Sequence, residues 1–180
     1  MARRSALRAG VLSLAAISMA LSAPASGQAR ESTDGGVGVQ AIYEDDQCTM
    51  TTACMAIFYN SRGNDGVFDS PCFITNKNLY SHNGHTIQHG TTTFDVLYQF
   101  SHGRIWDDTG WSGANGHKCG GPATGSGYSL KNDAAGAVNA DSRHHRIYYN
   151  TGYQGTSQTI EGSENLVPAL KNDNASSRRL

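Results

Sequence analysis

Apolar residues along this chain come in short bursts rather than long helical periods, and the bursts are bounded by Gly, Asn, Asp, Ser and Thr. That pattern predicts short strands and many turns. Ile147 to Asn150 is a β-branched and aromatic run that stops at Asn150-Thr151-Gly152, where the glycine can take positive φ, so a hairpin is expected there. Thr93 to Phe100 alternates apolar and polar with period two and predicts a further strand. No stretch is convincingly helical beyond a turn around Asp133 to Ala137. The fold class expected is all-β.

The pattern also repeats at longer range. Ile57-Phe58-Tyr59-Asn60-Ser61 matches Ile147-Tyr148-Tyr149-Asn150-Thr151, and Leu130-Lys131-Asn132-Asp133-Ala134-Ala135 matches Leu170-Lys171-Asn172-Asp173-Asn174-Ala175. Tyr148, Tyr153 and Gly155 give the spacing Y-x4-Y-x-G, in which two rings cover a folded-over hairpin whose backbone bends closely at the glycine. Asn172 to Ser177 adds two Asn/Asp positions, two free positions and a hydroxyl pair. Together these motifs resemble the βγ-crystallin superfamily. The resemblance implies a sandwich of two Greek keys, the first at about 55–139 and the second at about 146–180, with some forty residues inserted in the first. Two departures stand out in the first copy. Asn64 occupies the place of the second aromatic, and Gly136-Ala137 replaces Ser176-Ser177.

At the other end, Arg3, Arg4 and Arg8 precede an apolar run from Ala9 to Leu21 and then Ala23-Pro24-Ala25. This reads as a secretory signal peptide over 1–29, followed by a flexible segment over 30–47 and a domain over 48–180. The expected protein is secreted, soluble and monomeric. Without 1–29 the chain keeps eleven basic and fifteen acidic residues, net −4, and its one dense basic cluster is Arg178-Arg179. Nucleic acid is therefore not an expected partner, because phosphate binding needs clustered Lys and Arg. A membrane is not expected either, since no later apolar run approaches the roughly twenty residues a span requires.

Export brings the cysteines into an oxidising compartment, so Cys48, Cys54, Cys72 and Cys119 are read as disulfides. Of the three pairings that four cysteines allow, Cys48 with Cys54 is favoured because C-x5-C closes a tight hairpin, which leaves Cys72 with Cys119. The C-x5-C ahead of the aromatic strand at Ile57 to Tyr59 also resembles secreted bacterial metalloproteinase inhibitors of βγ-crystallin fold. That resemblance implies a proteinase inhibitor with a secreted protease as partner, acting through a rigid disulfide-braced loop. The insertion over 76–127, closed by Cys72 and Cys119, is the expected place for that loop. The alternative is a calcium-stabilised extracellular module with a binding or antimicrobial role.

Calcium takes six to eight oxygen ligands. By resemblance, Asp173 and Ser176 supply side-chain ligands from the second key, with Asn172 beside them, and Asn132 and Asp133 stand at the matching places in the first. One site of modest affinity is expected at most; the other reading is a plain turn in which Ser176 and Ser177 bond backbone. No cofactor is required. Enzyme signatures are incomplete, and no enzymatic activity is expected. His82, His85 and His89 have ligand-like spacing, but Asn83-Gly84 and Gly90 break the segment, which reads as a loop. Gly110-Trp111-Ser112-Gly113-Ala114 lacks the last glycine of a hydrolase elbow. Trp106 and Trp111 flank Asp107-Asp108, a contact patch or the small core of the insertion.

Overall fold

Strand follows strand because β-branched and aromatic residues fill each short run while Gly and Asn interrupt them. The computed structural model describes residues 40–44, 46–48, 53–103 and 119–180. Among these there are eleven strands and no helix. In chain order they are β1 Gln40–Glu44, β2 Asp46–Gln47, β3 Met55–Phe58, β4 Cys72–Thr75, β5 Gly84–His89, β6 Thr92–Tyr98, β7 Gly136–Asn139, β8 His145–Asn150, β9 Gln154–Ile160, β10 Ser163–Asn165 and β11 Ser176–Arg179.

The strands form a five-stranded sheet in the order β10-β7-β3-β4-β2 and two three-stranded sheets, β11-β8-β9 and β1-β6-β5. The five-stranded sheet and the β11-β8-β9 sheet exchange partners. From the C-terminal half, β10 runs antiparallel to β7. From the N-terminal half, Leu79 bridges to Ser177 beside β11, with both backbone bonds made. Each half thus caps the sheet of the other, which satisfies edge groups that would otherwise invite pairing with another chain.

All four residues of β3, β4 and β7 are buried, so this sheet is covered on both faces. One face contributes Met55, Ile57, Phe73 and Ala137 to the main core, where they meet Ile147, Ile160, Leu166 and Leu170 from the other half. The opposite face carries a smaller core of Ala56, Phe58, Phe68, Ile74 and Val138 with Cys54, Cys72 and Cys119. Cys48 is joined to Cys54 and Cys72 to Cys119, the favoured pairing.

Three expectations change. Within the segment expected to be flexible, β1 pairs parallel with β6 and β2 pairs parallel with β4. The inserted segment is no surface excursion: Val96, Tyr98 and Phe100, the apolar half of its alternation, lie in the main core, where Tyr98 tilts against Phe73 with ring centroids 5.1 Å apart. His85 and His89 lie on β5 rather than in a loop, and His82 is fully buried ahead of it. Pairing with β6 overrides the local breaker signal of Gly84, while Gly90, at φ 64°, makes the turn between β5 and β6. The signal peptide at 1–29, Trp106, Trp111, Asp107-Asp108 and the Gly110 to Ala114 motif lie outside the described residues.

Candidate functional site

The repeated Leu-Lys-Asn-Asp segments end up side by side. Leu130 and Leu170 are both fully buried, and the asparagines that follow each adopt the left-handed conformation, Asn132 at φ 65° and Asn172 at φ 61°. Asparagine tolerates this region better than most residues because its short side chain bonds locally. The two turns then pair reciprocally: the Asn132 amide donates to Asn174 O at 2.9 Å and the Asn172 amide donates to Ala134 O at 2.8 Å.

Asn174 locks this junction from within. Its buried Oδ1 accepts from the Ala134 amide at 2.9 Å, while Nδ2 donates to Leu130 O at 2.7 Å and to Nδ1 of His82 at 2.7 Å. An amide whose oxygen must face an N–H can be oriented only one way, so His82 Nδ1 is the acceptor and the proton sits on Nε2. Nε2 is buried with no partner. Burial, with the nearby Lys131 charge adding to it, pushes the His82 pKa down to about 3. His82 occupies the place that Leu166 holds in the other half, since His82 N donates to Ala175 O as Leu166 N donates to Ala135 O.

Outward from this junction lies a polar pocket of about 220 Å³ lined by Lys131, Asn132, Tyr149, Asn150, Thr151 and Asp173, floored by Ala175. Tyr149 lies opposite a bulge in β9: Tyr148 pairs with Ser157 and Asn150 with Gln154, so Gly155 and Thr156 together face Tyr149, which is 46% exposed. The hairpin beyond is the one expected from the tyrosine spacing. Tyr148 and Tyr153 rings stand 5.9 Å apart, and Gly155 has φ +79°, where a Cβ would crowd the Asn150 amide.

Of the expected calcium ligands, Asn132 and Asp173 line the pocket; Asp133 and Asn172 do not. Asp133 is half-buried, and burial raises its pKa. Ser176 is fully buried, and its hydroxyl donates to Asn150 O at 2.6 Å and accepts from the Tyr153 amide at 3.0 Å. These two bonds close the hairpin. Ser177 bonds nothing through its buried hydroxyl. Among the described residues no group of three or more His, Cys, Asp or Glu side chains is placed to hold a metal ion. No protein-family model, curated protein or solved structure matches the chain.

Replacing Ser176 by Ala leaves the Tyr153 amide and the Asn150 carbonyl without their partner and should destabilise the fold by about 1–3 kcal/mol. Denaturant midpoints read this directly. The loss should be the same with calcium and with a chelator; a loss seen only with calcium would return Ser176 to the ligand role.

In the first half Gly136 stands opposite Phe58, as Ser176 stands opposite Tyr148. A Cβ on Gly136 would overlap the Phe68 ring, which stacks on Phe58 with centroids 4.6 Å apart. An apolar stack therefore closes the first turn where a hydroxyl closes the second. Phe68 follows the vacant aromatic place at Asn64 by four residues, and spacing alone did not reveal it.

One further cluster has the look of acid–base machinery. His145 Nε2 donates to Asp141 Oδ2 at 2.9 Å, and Asp141 also accepts from Arg179 Nη2 at 2.8 Å. Burial alone would raise the Asp141 pKa, but bonds from Arg179, His145 and the Arg143 amide hold it well below the usual carboxylate range. The His145 side chain is wholly buried, its pKa is lowered by that burial, and its Nδ1 faces no partner. No reactant reaches it; the cluster fastens β11 to the turn before β8.

Proposed function

We propose that the protein is a secreted proteinase inhibitor built on two Greek keys of the βγ-crystallin type. The partner exchange between halves, with β10 on β7 and Leu79 on Ser177, supports the two-key reading. The observation that carries the inhibitor reading is the neck of the segment 104–118. Gly103 N donates to Cys119 O at 2.6 Å, Cys72 and Ser101 exchange both backbone bonds, His102 Nε2 meets Gly121 O at 2.7 Å, and Cys72 is joined to Cys119.

Cys72 of β4 and Cys119 are themselves buried in the smaller core, so the disulfide ties the residue that follows 104–118 to a buried strand. A loop closed in this way has lost most of its end-to-end freedom before a partner arrives, which lowers the ordering penalty of binding in a cleft. Inhibition then needs no chemistry from the chain. Calcium stabilisation is the weaker reading, because Lys131 lines the pocket with a single carboxylate, Asp173, whereas calcium favours several anionic oxygens.

The protein from residue 30 onward, refolded with its disulfides, should competitively inhibit a secreted metallo- or serine proteinase. Steady-state assays against thermolysin-like and subtilisin-like enzymes check this. Full protease activity at inhibitor concentrations of tens of micromolar, roughly −7 kcal/mol of binding, would remove the proposal.

A further inference from the structure

The pocket between the paired turns is chemically odd for a site of cation binding or of simple solvation. Lys131, Asn132, Asn150, Thr151 and Asp173 all line it, and none of their side chains makes a hydrogen bond among the described residues. Together they offer donors and acceptors of both kinds, one positive charge and one negative charge. A cation would be opposed by Lys131 and an anion by Asp173. A neutral ligand with alternating hydroxyls meets neither obstacle and can accept from Lys131 and the amides while donating to Asp173.

The aromatic wall narrows the class further. Tyr149 lines the pocket opposite a bulge in β9, where Gly155 and Thr156 together face it, and bulges commonly sit beside a working site. Its exposed ring gives an apolar platform next to the polar groups, a combination that suits a pyranose, whose C–H face is apolar and whose rim is polar. At about 220 Å³ the pocket is smaller than the roughly 300 Å³ lower bound for drug-sized ligands, so it has room for about one ring. The floor is rigid, since Ala175 N bonds Tyr148 O and Asn174 fastens the turns beneath.

We propose that this pocket binds one neutral pyranose residue of a glycan, with Tyr149 stacked on the ring and Asn132, Asp173 and Lys131 reading its hydroxyls. The site does not depend on the inhibitor reading.

Methyl glycosides of glucose, mannose, galactose and N-acetylglucosamine titrated into isotope-labelled protein provide the test. At least one should shift the amide signals of Asn132, Tyr149 to Thr151 and Asp173 together, with saturation at millimolar concentration. Tyr149→Ala should weaken that binding about tenfold or more, whereas Tyr149→Trp, which keeps a platform, should retain it. Both variants should leave the remaining spectrum unchanged because the ring is exposed. Silence from all four glycosides at about 50 mM would overturn the proposal. So would equal binding by Tyr149→Ala, or signals at these residues that answer to calcium chloride and not to any glycoside.

Discussion

Lowering the pH from 6.5 to 4 should destabilise the folded protein by about 3 kcal/mol through His82 alone. The sign follows from the direction of the shift. In the unfolded chain His82 titrates near its ordinary 6.5, and in the folded protein near 3. The unfolded state therefore binds the proton first, so the contribution is complete above pH 6.5 and is lost progressively as pH falls towards 3. The structural reason lies at Nδ1. A second ring proton would point at the Asn174 Nδ2 donor, replacing a hydrogen bond with two opposed donors in a dry interior. His145, lowered by burial, adds in the same direction, while Asp133, raised by burial, opposes weakly at the acid end.

The measurement is a set of denaturant unfolding curves at several pH values for the wild type and for His82→Leu, the residue type that Leu166 supplies in the other half. The variant should lose more than half of the pH slope and keep the remainder due to His145 and Asp141. An unchanged slope would mean that His82 is not the group responsible. Asn174 keeps its bonds to Leu130 and Ala134 in the variant, so the junction stays fastened for the comparison.

Replacing both Cys72 and Cys119 by Ser should cost about 4 kcal/mol on the chain-entropy account of a disulfide, since it reopens a loop of sequence separation 47. That is a large share of a total of roughly 5–15 kcal/mol. Protease inhibition should fall by tenfold or more, because the residues that flank 104–118 lose their covalent tie and keep only their hydrogen bonds. The C-terminal strands β8 to β11 hold neither cysteine and should keep their β signature in circular dichroism at low temperature. Equal inhibition by the double variant would show that the braced neck is not what presents the loop.

Much of the architecture was legible because it rests on short-range signals. The tyrosine spacing marked the hairpin of β8 and β9, the alternation marked β6, and C-x5-C marked the Cys48–Cys54 link. The matched Leu-Lys-Asn-Asp segments located both halves of the polar pocket. Its other walls were less visible. Lys131 and Tyr149 stand inside the repeated segments, where neither residue type in isolation signals a ligand; that Tyr149 faces a bulge depends on how β9 pairs.

By itself the sequence determined the β class, strand β6, the β8–β9 hairpin and the pairing preference of the cysteines, because alternation, turn chemistry and close spacing act over a few residues. Tertiary structure alone decided which half each edge strand would serve, how Gln40–Glu44 found β6, and that Phe68 would stand in for a missing hydroxyl. It also decided the fate of His82. A histidine between Ser81 and Asn83 reads as a solvated loop residue, and it becomes a buried, neutral one through Asn174, 92 positions away. Burial is set by what the far end of the chain brings, and no local pattern encodes that distance.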